Sequence, residues 1–252
     1  MDKKRNKINQ AKRIISTIFI LFISIITIYS NWNYEGQEEK NSQSTEIIIG
    51  TDNIPKYDNK PYIVLNNNIP NFDEELFNTK SFEKYSELDE LKRCGVALAN
   101  LSKETMPEVG EKREQITHIR PVGLNKNKKY DESIVEDNFL YNRCHLIAFS
   151  LSAENDNEKN LMTGTKYFNK EGMLPFEIEV TNYLRKNKSK HVLYRVTPIY
   201  QGDNIIADGV QMEAISVEDR GKSICFNVFI YNVQPGIEIN YLTGDNKLKN
   251  EN

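Results

Sequence analysis

The sequence lacks most of the short motifs that mark common enzyme centres. It contains neither G-x-S-x-G nor H-E-x-x-H, and it has no phosphate-binding G-x-x-x-x-G-K-[ST] loop and no dinucleotide-binding G-x-G-x-x-G. No C-x-x-C pair occurs among its 252 residues, which argues against a zinc centre built from cysteines. These absences remove the enzyme classes that such motifs identify.

Cysteine is scarce, and the three cysteines present allow at most one internal disulfide. Cys225 lies in the apolar segment ICFNVFIY, which is typical of a buried strand. Cys94 and Cys144 are the two that remain for pairing in an oxidising exterior. The sequence alone allows both the bridged and the free form.

The N-terminus has the pattern of a targeting segment. Six basic residues lie within the first 13, and residues 14–29 then form an uncharged run rich in Ile and Phe. The run is slightly shorter than the roughly 17–25 apolar residues of a membrane span, and no A-x-A cleavage site follows it. We therefore predict a signal peptide or a signal anchor at residues 1–30, with both alternatives open.

The rest of the chain is predicted to lie outside the cell, either secreted or held at the outer face of the membrane by residues 14–29. Residues 31–45 are polar and poor in aliphatic side chains, which predicts a linker. Residues 46–252 are predicted to form one globular domain, because 38% hydrophobic and 27% charged residues are ordinary values for a soluble protein.

The apolar pattern predicts an α+β fold with a central, mainly antiparallel sheet and flanking helices. EIIIG and PYIVLNNN predict early strands because they are rich in β-branched residues. Residues 72–92 are predicted to include a helix, and RCGVALANLS to form a strand that follows it. Residues 174–186 also predict a helix, where Pro175 suits the first helical turn. Residues 106–137 predict long loops. HVLYRVTPIY, NIIADGVQMEAISV and SICFNVFIYNVQ predict three consecutive antiparallel strands joined by turns.

The three histidines differ in their surroundings. His191 begins an apolar strand and is interpreted as structural, while His118 in the polar segment ITHIRP is interpreted as solvated. His145 lies in LYNRCHLIAF, where polar residues interrupt an apolar strand. A lone histidine in such a strand is more often a core residue than a catalyst, so the segments that follow it decide its interpretation.

Those segments resemble the DNA/RNA non-specific endonucleases of the ββα-metal (His-Me finger) superfamily, and within it the secreted DNases of streptococci and related Gram-positive bacteria. The family signature is D-R-G-H, followed by an asparagine and then a glutamate. The matching residues are Asn142, Arg143, Cys144, His145, Asn160, Asn169 and Glu177. The phrases NEKNLMTGTKYFNKEGMLPFE and FNVFIYNVQPG are also similar, and the resemblance extends over about residues 91–245. It implies a ββα-metal motif, in which a strand pair and a helix hold one divalent ion.

The resemblance implies a chemical role for three of the matched residues. His145 would be the general base that deprotonates the attacking water, since an imidazole with a pKa of about 6.5 suits that task. Its other ring nitrogen would be oriented by a backbone carbonyl. Asn169 would bind one Mg²⁺ through its amide oxygen, with Mn²⁺ or another divalent cation as a substitute. Glu177 would hold a water molecule of the metal and help to protonate the leaving group.

Three further residues are predicted to contact the substrate. Arg143 lies two residues before His145, so both point to one face of a strand, and its guanidinium would clamp a phosphate oxygen. Lys166 adds positive charge near the site. Asn160 is interpreted as a substrate contact or as a residue that contacts the backbone and orders the metal loop. Each residue also has a purely structural alternative, such as a surface ion pair for Arg143.

Two positions depart from the family signature. Asn142 replaces the usual aspartate, and this loss of charge affects the pKa expected for His145. Cys144 replaces the usual glycine and removes backbone freedom. Arg120, in HIRP, is a second candidate for a phosphate contact.

The charge balance is unexpected for a protein that binds nucleic acid. Residues 1–31 hold six basic residues and one acidic residue, so the exported part carries a formal charge of -8, against -3 for the whole chain. A basic patch is the usual footprint of nucleic-acid binding. We therefore expect a local positive groove on an acidic domain. Its candidate residues are Lys166, Arg185, Lys186, Lys188 and Lys190.

The sequence therefore predicts a metal-dependent endonuclease that hydrolyses DNA, with RNA as a further substrate, outside the cell. Contacts to phosphate carry no sequence information, so no base readout is expected. No protein partner is implied, and membrane contact is limited to the N-terminal segment. The main alternative is a non-catalytic, extracellular nucleic-acid-binding module that serves DNA uptake on the same fold. A toxin domain and a plain surface domain are weaker alternatives.

Overall fold

The computed structural model describes residues 55–249, all of which belong to the second of the chain's two units, Glu46–Asn252. The predicted signal segment at 1–30, the linker at 31–45 and the strand at 46–50 lie outside these residues. Within the described part, no helix is both long enough and apolar enough to cross a membrane.

Ten β-strands are present in residues 55–249. They are β1 (Tyr62–Val64), β2 (Phe82–Tyr85), β3 (Ala97–Leu101), β4 (Tyr141–His145), β5 (Leu161–Thr165), β6 (Val192–Ile199), β7 (Gly209–Ser216), β8 (Cys225–Tyr231), β9 (Ile237–Ile239) and β10 (Asn246–Leu248). Six of them form one sheet in the order β1-β8-β7-β6-β3-β2, and every neighbouring pair is antiparallel. The pairs β4-β5 and β9-β10 are antiparallel as well. The α+β fold and the mainly antiparallel sheet are therefore confirmed.

The three strands predicted near the end of the chain form the middle of this sheet. β6, β7 and β8 lie side by side in sequence order, and β7 is paired along its length on both sides. A strand with two neighbours and a covered face buries most of its side chains, which explains the dense branched and aromatic residues of these segments.

The prediction of a helix within residues 72–92 is wrong. This segment instead contains a 3₁₀ turn, Glu74–Leu76, and the edge strand β2. Its Glu, Leu and Lys residues favour a helix locally, but the free edge of β3 offers a ladder of backbone hydrogen bonds to Phe82–Tyr85. Pairing across the sheet therefore overrides local helix propensity.

The helix predicted at residues 174–186 is confirmed. The described residues contain the short helix α1 (Phe149–Ser152), a π-helical turn (Phe168–Met173) and the helix α2 (Leu174–Lys186), which follows that turn directly. Pro175 lies in its first turn, where no backbone N–H is needed. Val180 and Leu184 are fully buried and join the core formed with the central strands.

A strand pair and the following helix build the unit that carries the predicted site residues. β4 pairs with β5, so that Arg143 faces Thr163 and His145 faces Leu161 across the ladder. The sequence did not single out β5, because LMTGT is short and contains a glycine. The π-helical turn and α2 then follow β5 along the chain. His145, Asn169 and Glu177 therefore belong to one ββα unit.

Candidate active site

His145 ends β4 and has both ring nitrogens engaged. Its side chain is buried, and Nε2 lies 3.0 Å from the carbonyl oxygen of Asn155. A carbonyl only accepts, so Nε2 must carry the proton and donate it. Nδ1 then holds the lone pair, and it accepts a hydrogen bond from Nη2 of Arg113 at 3.0 Å. The expected backbone carbonyl therefore orients the ring, and Nδ1 is the basic atom.

Two effects keep this imidazole neutral. Burial and the positive charge of Arg113 together lower the pKa of His145 to about 4, while the hydrogen bond to Asn155 acts in the opposite direction. A neutral imidazole is the form that a general base requires. His145 is thus neutral near pH 7, but its Nδ1 is covered by Arg113.

The other two histidines lie apart from this arrangement. His118 is exposed, and its Nε2 lies 3.6 Å from Asp156. His191 precedes β6 and its Nδ1 lies 2.8 Å from Glu218. These positions match the interpretation of His118 as solvated and His191 as structural.

Asn169 and Glu177 lie on one continuous helical segment that begins with the π-helical turn. Eight residues of a regular α-helix rotate by about 800°, which leaves two such residues about 80° apart around the axis. A π-helical turn rotates less per residue because its hydrogen bonds span five residues instead of four. The π-helical turn therefore reduces the angle around the helix axis between Asn169 and Glu177, which brings the two residues closer to one face of the segment.

Glu177 is a buried carboxyl group near positive charge. Burial raises its pKa to about 8, and the nearby charge of Arg113 partly opposes this rise. The side chain is 9% exposed and lies in the first turn of α2, where a helix favours negative charge. Such a group exchanges a proton near neutral pH, which is typical of a functional carboxyl rather than of a surface residue.

The donor set of this segment suits a hard divalent cation. Asn169 is partly exposed, and its amide makes no hydrogen bond to another described residue. Its amide oxygen is the kind of ligand that Mg²⁺ prefers while it retains several waters. The raised pKa of Glu177 keeps this group protonated near neutral pH, which makes it a poor cation ligand there. No group of three or more histidine, cysteine, aspartate and glutamate side chains in residues 55–249 is placed to hold a metal ion.

Arg143 is held by backbone carbonyls rather than left free. Its Nε donates to the carbonyl of Ile119 at 2.5 Å, and its Nη2 donates to that of Thr117 at 3.0 Å. The guanidinium therefore ties the preceding loop to β4. Arg143 also lines a cleft of about 440 Å³, together with Arg120, Asn142 and Phe139. Arg120 and Arg143 thus share one surface.

Lys166 and its neighbour on the helical segment are paired with acidic residues. Nζ of Lys166 lies 2.6 Å from Asp137, and Nζ of Lys170 lies 2.6 Å from Glu136. Lys166 therefore offers less free charge to a substrate than predicted. The other predicted cations lie beyond or in the last turn of α2, more than about 20 Å along the axis from Asn169. They do not line the site.

Asn160 is fully buried and is fastened to the backbone of one residue. Its Oδ1 accepts from the N–H of Ile147 at 2.9 Å, and its Nδ2 donates to the carbonyl of Ile147 at 3.0 Å. Its own carbonyl accepts from Leu146. The geometry corresponds to the backbone-contacting interpretation, and it leaves no polar atom of Asn160 for the predicted substrate contact.

The departures at positions 142 and 144 have a local structural context. Cys144 lies within β4 and has no positive φ, so this position does not require glycine. Its buried side chain packs against Gly164, where an added Cβ would lie 2.7 Å from the Cys144 sulfur. Nδ2 of Asn142 is buried and has no hydrogen-bond partner among the described residues.

Comparison with known proteins identifies the family. A sequence model of the DNA/RNA non-specific endonucleases matches residues 73–218, which is more than half of the chain. This protein belongs to the DNA/RNA non-specific endonuclease family. The match includes every residue of the predicted site.

Solved structures of endonucleases support the assignment of fold and family. NucA from Streptococcus agalactiae, with a magnesium ion bound, is 26% identical with a TM-score of 0.64, and the match covers 77% of this chain and 89% of NucA. The Sda1 nuclease, with a bound zinc ion, is 27% identical with a TM-score of 0.56, and the match covers 68% of this chain and 82% of Sda1.

A curated relative adds a named activity. A deoxyribonuclease from Streptococcus dysgalactiae subsp. equisimilis is 33% identical over 139 residues, which are 53% of this chain and 39% of the relative. This endonuclease chain therefore spans about two fifths of the length of the curated relative it matches.

One feature of the candidate site, the contact between Arg113 and His145, was not anticipated from sequence. Arg113 lies in a polar loop 32 residues before His145, and no periodic pattern links the two.

Cys94 and Cys144 are both buried and free, and Sγ of Cys94 instead lies 3.0 Å from the carbonyl of Leu161. The disulfide that the sequence allowed is absent from the described structure.

Proposed function

We propose that this protein is a metal-dependent endonuclease that hydrolyses phosphodiester bonds of DNA, with RNA as a further substrate, outside the cell. The observation that carries the proposal is the fixed tautomer of His145. Its Nε2 donates to Asn155, so Nδ1 is the neutral, basic atom of the ring, and Arg113 covers it until substrate binds. The predicted signal segment at residues 1–30 supports an extracellular place of action.

The reaction is the attack of water on the scissile phosphate. Nδ1 of His145 accepts a proton from that water as its oxygen forms the new bond to phosphorus. The bond from phosphorus to the leaving oxygen breaks on the opposite side, and the leaving oxygen takes up a proton. Glu177 is the group on this chain that supplies it, because burial raises its pKa to about 8 and keeps it protonated near neutral pH.

A divalent cation held by the amide oxygen of Asn169 supplies charge neutralisation at the scissile phosphate when it is bound. An amide ligand is neutral, so the full charge of the cation remains available for the phosphate. Two similar solved structures favour such a cation, since NucA contains magnesium and the Sda1 nuclease contains zinc. We propose Mg²⁺, with Mn²⁺ or another divalent ion as a substitute.

Three arginines would contact the substrate backbone in this proposal. Arg113 occupies the lone pair of Nδ1 on His145, so it must leave that atom before water reaches it. A phosphate is a stronger acceptor for a guanidinium than a neutral imidazole is, and substrate binding therefore releases the base. Arg120 and Arg143 line the neighbouring cleft, where they would contact further phosphates. None of these contacts reads a base, which supports cleavage without sequence preference.

A plasmid-nicking assay tests the proposal against the non-catalytic alternative. Purified protein is incubated with supercoiled plasmid in Mg²⁺ and, separately, in EDTA. We expect nicking in Mg²⁺ only, and a loss of about 100-fold or more in His145→Ala, the size expected for removal of a general base. His191→Gln is the matched control, because His191 pairs with Glu218 away from the site. Plasmid binding without nicking by the pure protein would favour the DNA-uptake module.

A further inference from the structure

The cleft beside Arg143 has the composition of a nucleotide pocket. Its volume is about 440 Å³, within the range of roughly 300–1,000 Å³ that small-molecule sites occupy. Two arginines, Arg120 and Arg143, line it, and no aspartate or glutamate is among the described residues of its wall. On a domain whose residues 46–252 carry a formal charge of -6, a wall free of carboxylates marks a place where an anion is accepted.

An exposed aromatic ring forms part of the same wall. Phe139 is 45% exposed, although a phenyl ring in water costs free energy. Nζ of Lys129 lies over this ring, 4.9 Å from its centroid. A ring has two faces, and the ammonium group covers only one of them. Stacking on aromatic side chains is the usual way in which proteins hold an unpaired base.

The polar part of the wall combines a fixed group with a free one. Asn127 accepts from the N–H of Tyr141 and donates to its carbonyl, both at 2.8 Å, so this side of the cleft is preformed. The Tyr141 hydroxyl is anchored on Gly244. Asn125 is exposed and makes no hydrogen bond through its side chain to another described residue. Its amide is available to the donor and acceptor edge of any base.

The cleft lies next to the proposed general base. Arg143 contributes to the cleft, and His145 follows two residues later on β4. Two residues of a strand span about 7 Å, close to the length of one nucleotide in an extended single strand. A base in the cleft would therefore belong to a nucleotide that flanks the scissile phosphate.

We propose that this cleft is a nucleobase subsite, in which Phe139 stacks on one unpaired base beside the scissile phosphate while Arg120 and Arg143 hold the adjoining backbone. The proposal rests on the endonuclease function proposed above. A base enters such a pocket only after leaving the stack of a duplex, so the subsite favours single-stranded or locally opened nucleic acid. Every base has a stacking face, so the subsite adds affinity without sequence preference.

The test compares an intact oligonucleotide with one that lacks a single base. A short single strand carries one cleavable linkage, with the other linkages chemically blocked, and a second set replaces one flanking base by an abasic site. We expect kcat/KM of the unaltered enzyme to fall about tenfold or more for one abasic position. Phe139→Ala should lose a similar factor on the intact strand and should no longer respond to the abasic site. Phe139→Trp, which restores a ring, should recover both properties.

Controls separate the subsite from the catalytic proposal. Ile69→Ala removes another exposed apolar side chain, which lies outside the cleft, and should behave as the unaltered enzyme. Thermal melting checks that Phe139→Ala is folded. Equal cleavage of intact and abasic strands by the unaltered enzyme would overturn the subsite. If no strand is cleaved at all, the endonuclease proposal fails instead, and binding of the intact and abasic strands in EDTA, followed by fluorescence anisotropy, still decides the subsite.

Discussion

Nη2 of Arg113 donates a hydrogen bond to Nδ1 of His145 across a distance of 3.0 Å. This contact joins an exposed loop to the end of β4 and sets a fixed positive charge against the proposed catalytic base. The charge lowers the pKa of His145, together with burial, and the hydrogen bond occupies the lone pair that catalysis needs. Arg113 therefore protects the neutral base and blocks it at the same time.

Removal of Arg113 should change the pH profile of cleavage. The proposed base works when neutral, so kcat/KM is retained above the pKa of His145, which is about 4, and falls as the pH drops through it. Arg113→Ala removes the cation and raises this pKa toward 6.5, so the acidic limb of the kcat/KM profile should move to higher pH. Arg113→Lys retains the charge and should keep the limb close to its original position. An acidic limb that does not move in Arg113→Ala would contradict the electrostatic role.

Substitution of Asn169 should weaken metal binding and leave the fold unchanged. Asn169→Ala removes the proposed ligand oxygen, so the Mg²⁺ concentration for half-maximal cleavage should rise about tenfold or more. Asn182→Ala is the matched control, because Asn182 is an exposed asparagine farther along α2. Direct Mn²⁺ binding, measured by electron paramagnetic resonance without substrate, gives an independent readout. Unchanged Mn²⁺ affinity in Asn169→Ala would assign the metal to other residues.

Glu177→Gln should stabilise the protein while it abolishes cleavage. The pKa of Glu177 is raised from 4.5 to about 8 on folding, so the unfolded state loses its proton first as the pH rises. As the pH rises from 4.5 to about 8, the free energy of unfolding therefore decreases in the unaltered protein, whereas the glutamine variant shows no such decrease. In EDTA, the Tm advantage of Glu177→Gln should be small near pH 4 and largest at pH 8 and above.

A pH series of thermal melts measures this advantage, with Glu171→Gln, an exposed carboxylate on the π-helical turn, as the control. A difference in Tm that stays constant with pH would show that burial of Glu177 does not control its ionisation. Cleavage by Glu177→Gln should fall about 100-fold or more, because the amide N–H groups are not acidic enough to protonate the leaving oxygen.

Asn160→Ala should reduce stability and leave substrate binding intact. The substitution leaves both the N–H and the carbonyl of Ile147 buried without a partner, which costs about 2 kcal/mol or more in the free energy of unfolding. Urea denaturation measures this loss. At a temperature where the variant is folded, KM should stay close to that of the unaltered enzyme. A raised KM with unchanged stability would restore the substrate contact predicted from sequence.

The sequence predicted the parts of the fold that depend on local patterns. Helix α2 was predicted with its observed bounds because Pro175 marks its first turn, and β6, β7 and β8 were predicted because turn residues separate branched runs. The segment 72–92 was predicted wrongly because its strand exists only through pairing with β3. Local propensity contains no information about that partner.

The candidate site was predictable to the extent that residues have a fixed spacing. His145, Asn169 and Glu177 follow a known order along one ββα unit, so a resemblance located them. Arg113 has no such spacing, because its contact with His145 depends on the path of a long loop. Arg143 was expected as a free phosphate clamp, yet two of its donors bind carbonyls of the loop at Thr117 and Ile119. The partner of a charged side chain is a tertiary property.

The double hydrogen bond between Asn160 and Ile147 separates the residues of the family signature into two kinds, those that hold the fold and those proposed for catalysis. A descendant that had lost cleavage and only bound nucleic acid would still need Asn160, since the strand pair depends on it whatever its task. Such a descendant would be free to exchange His145 and Asn169. The asparagine at position 160 thus indicates the fold and not the activity. A search for inactive copies of the domain should look for chains that retain this asparagine but have other residues at positions 145 and 169.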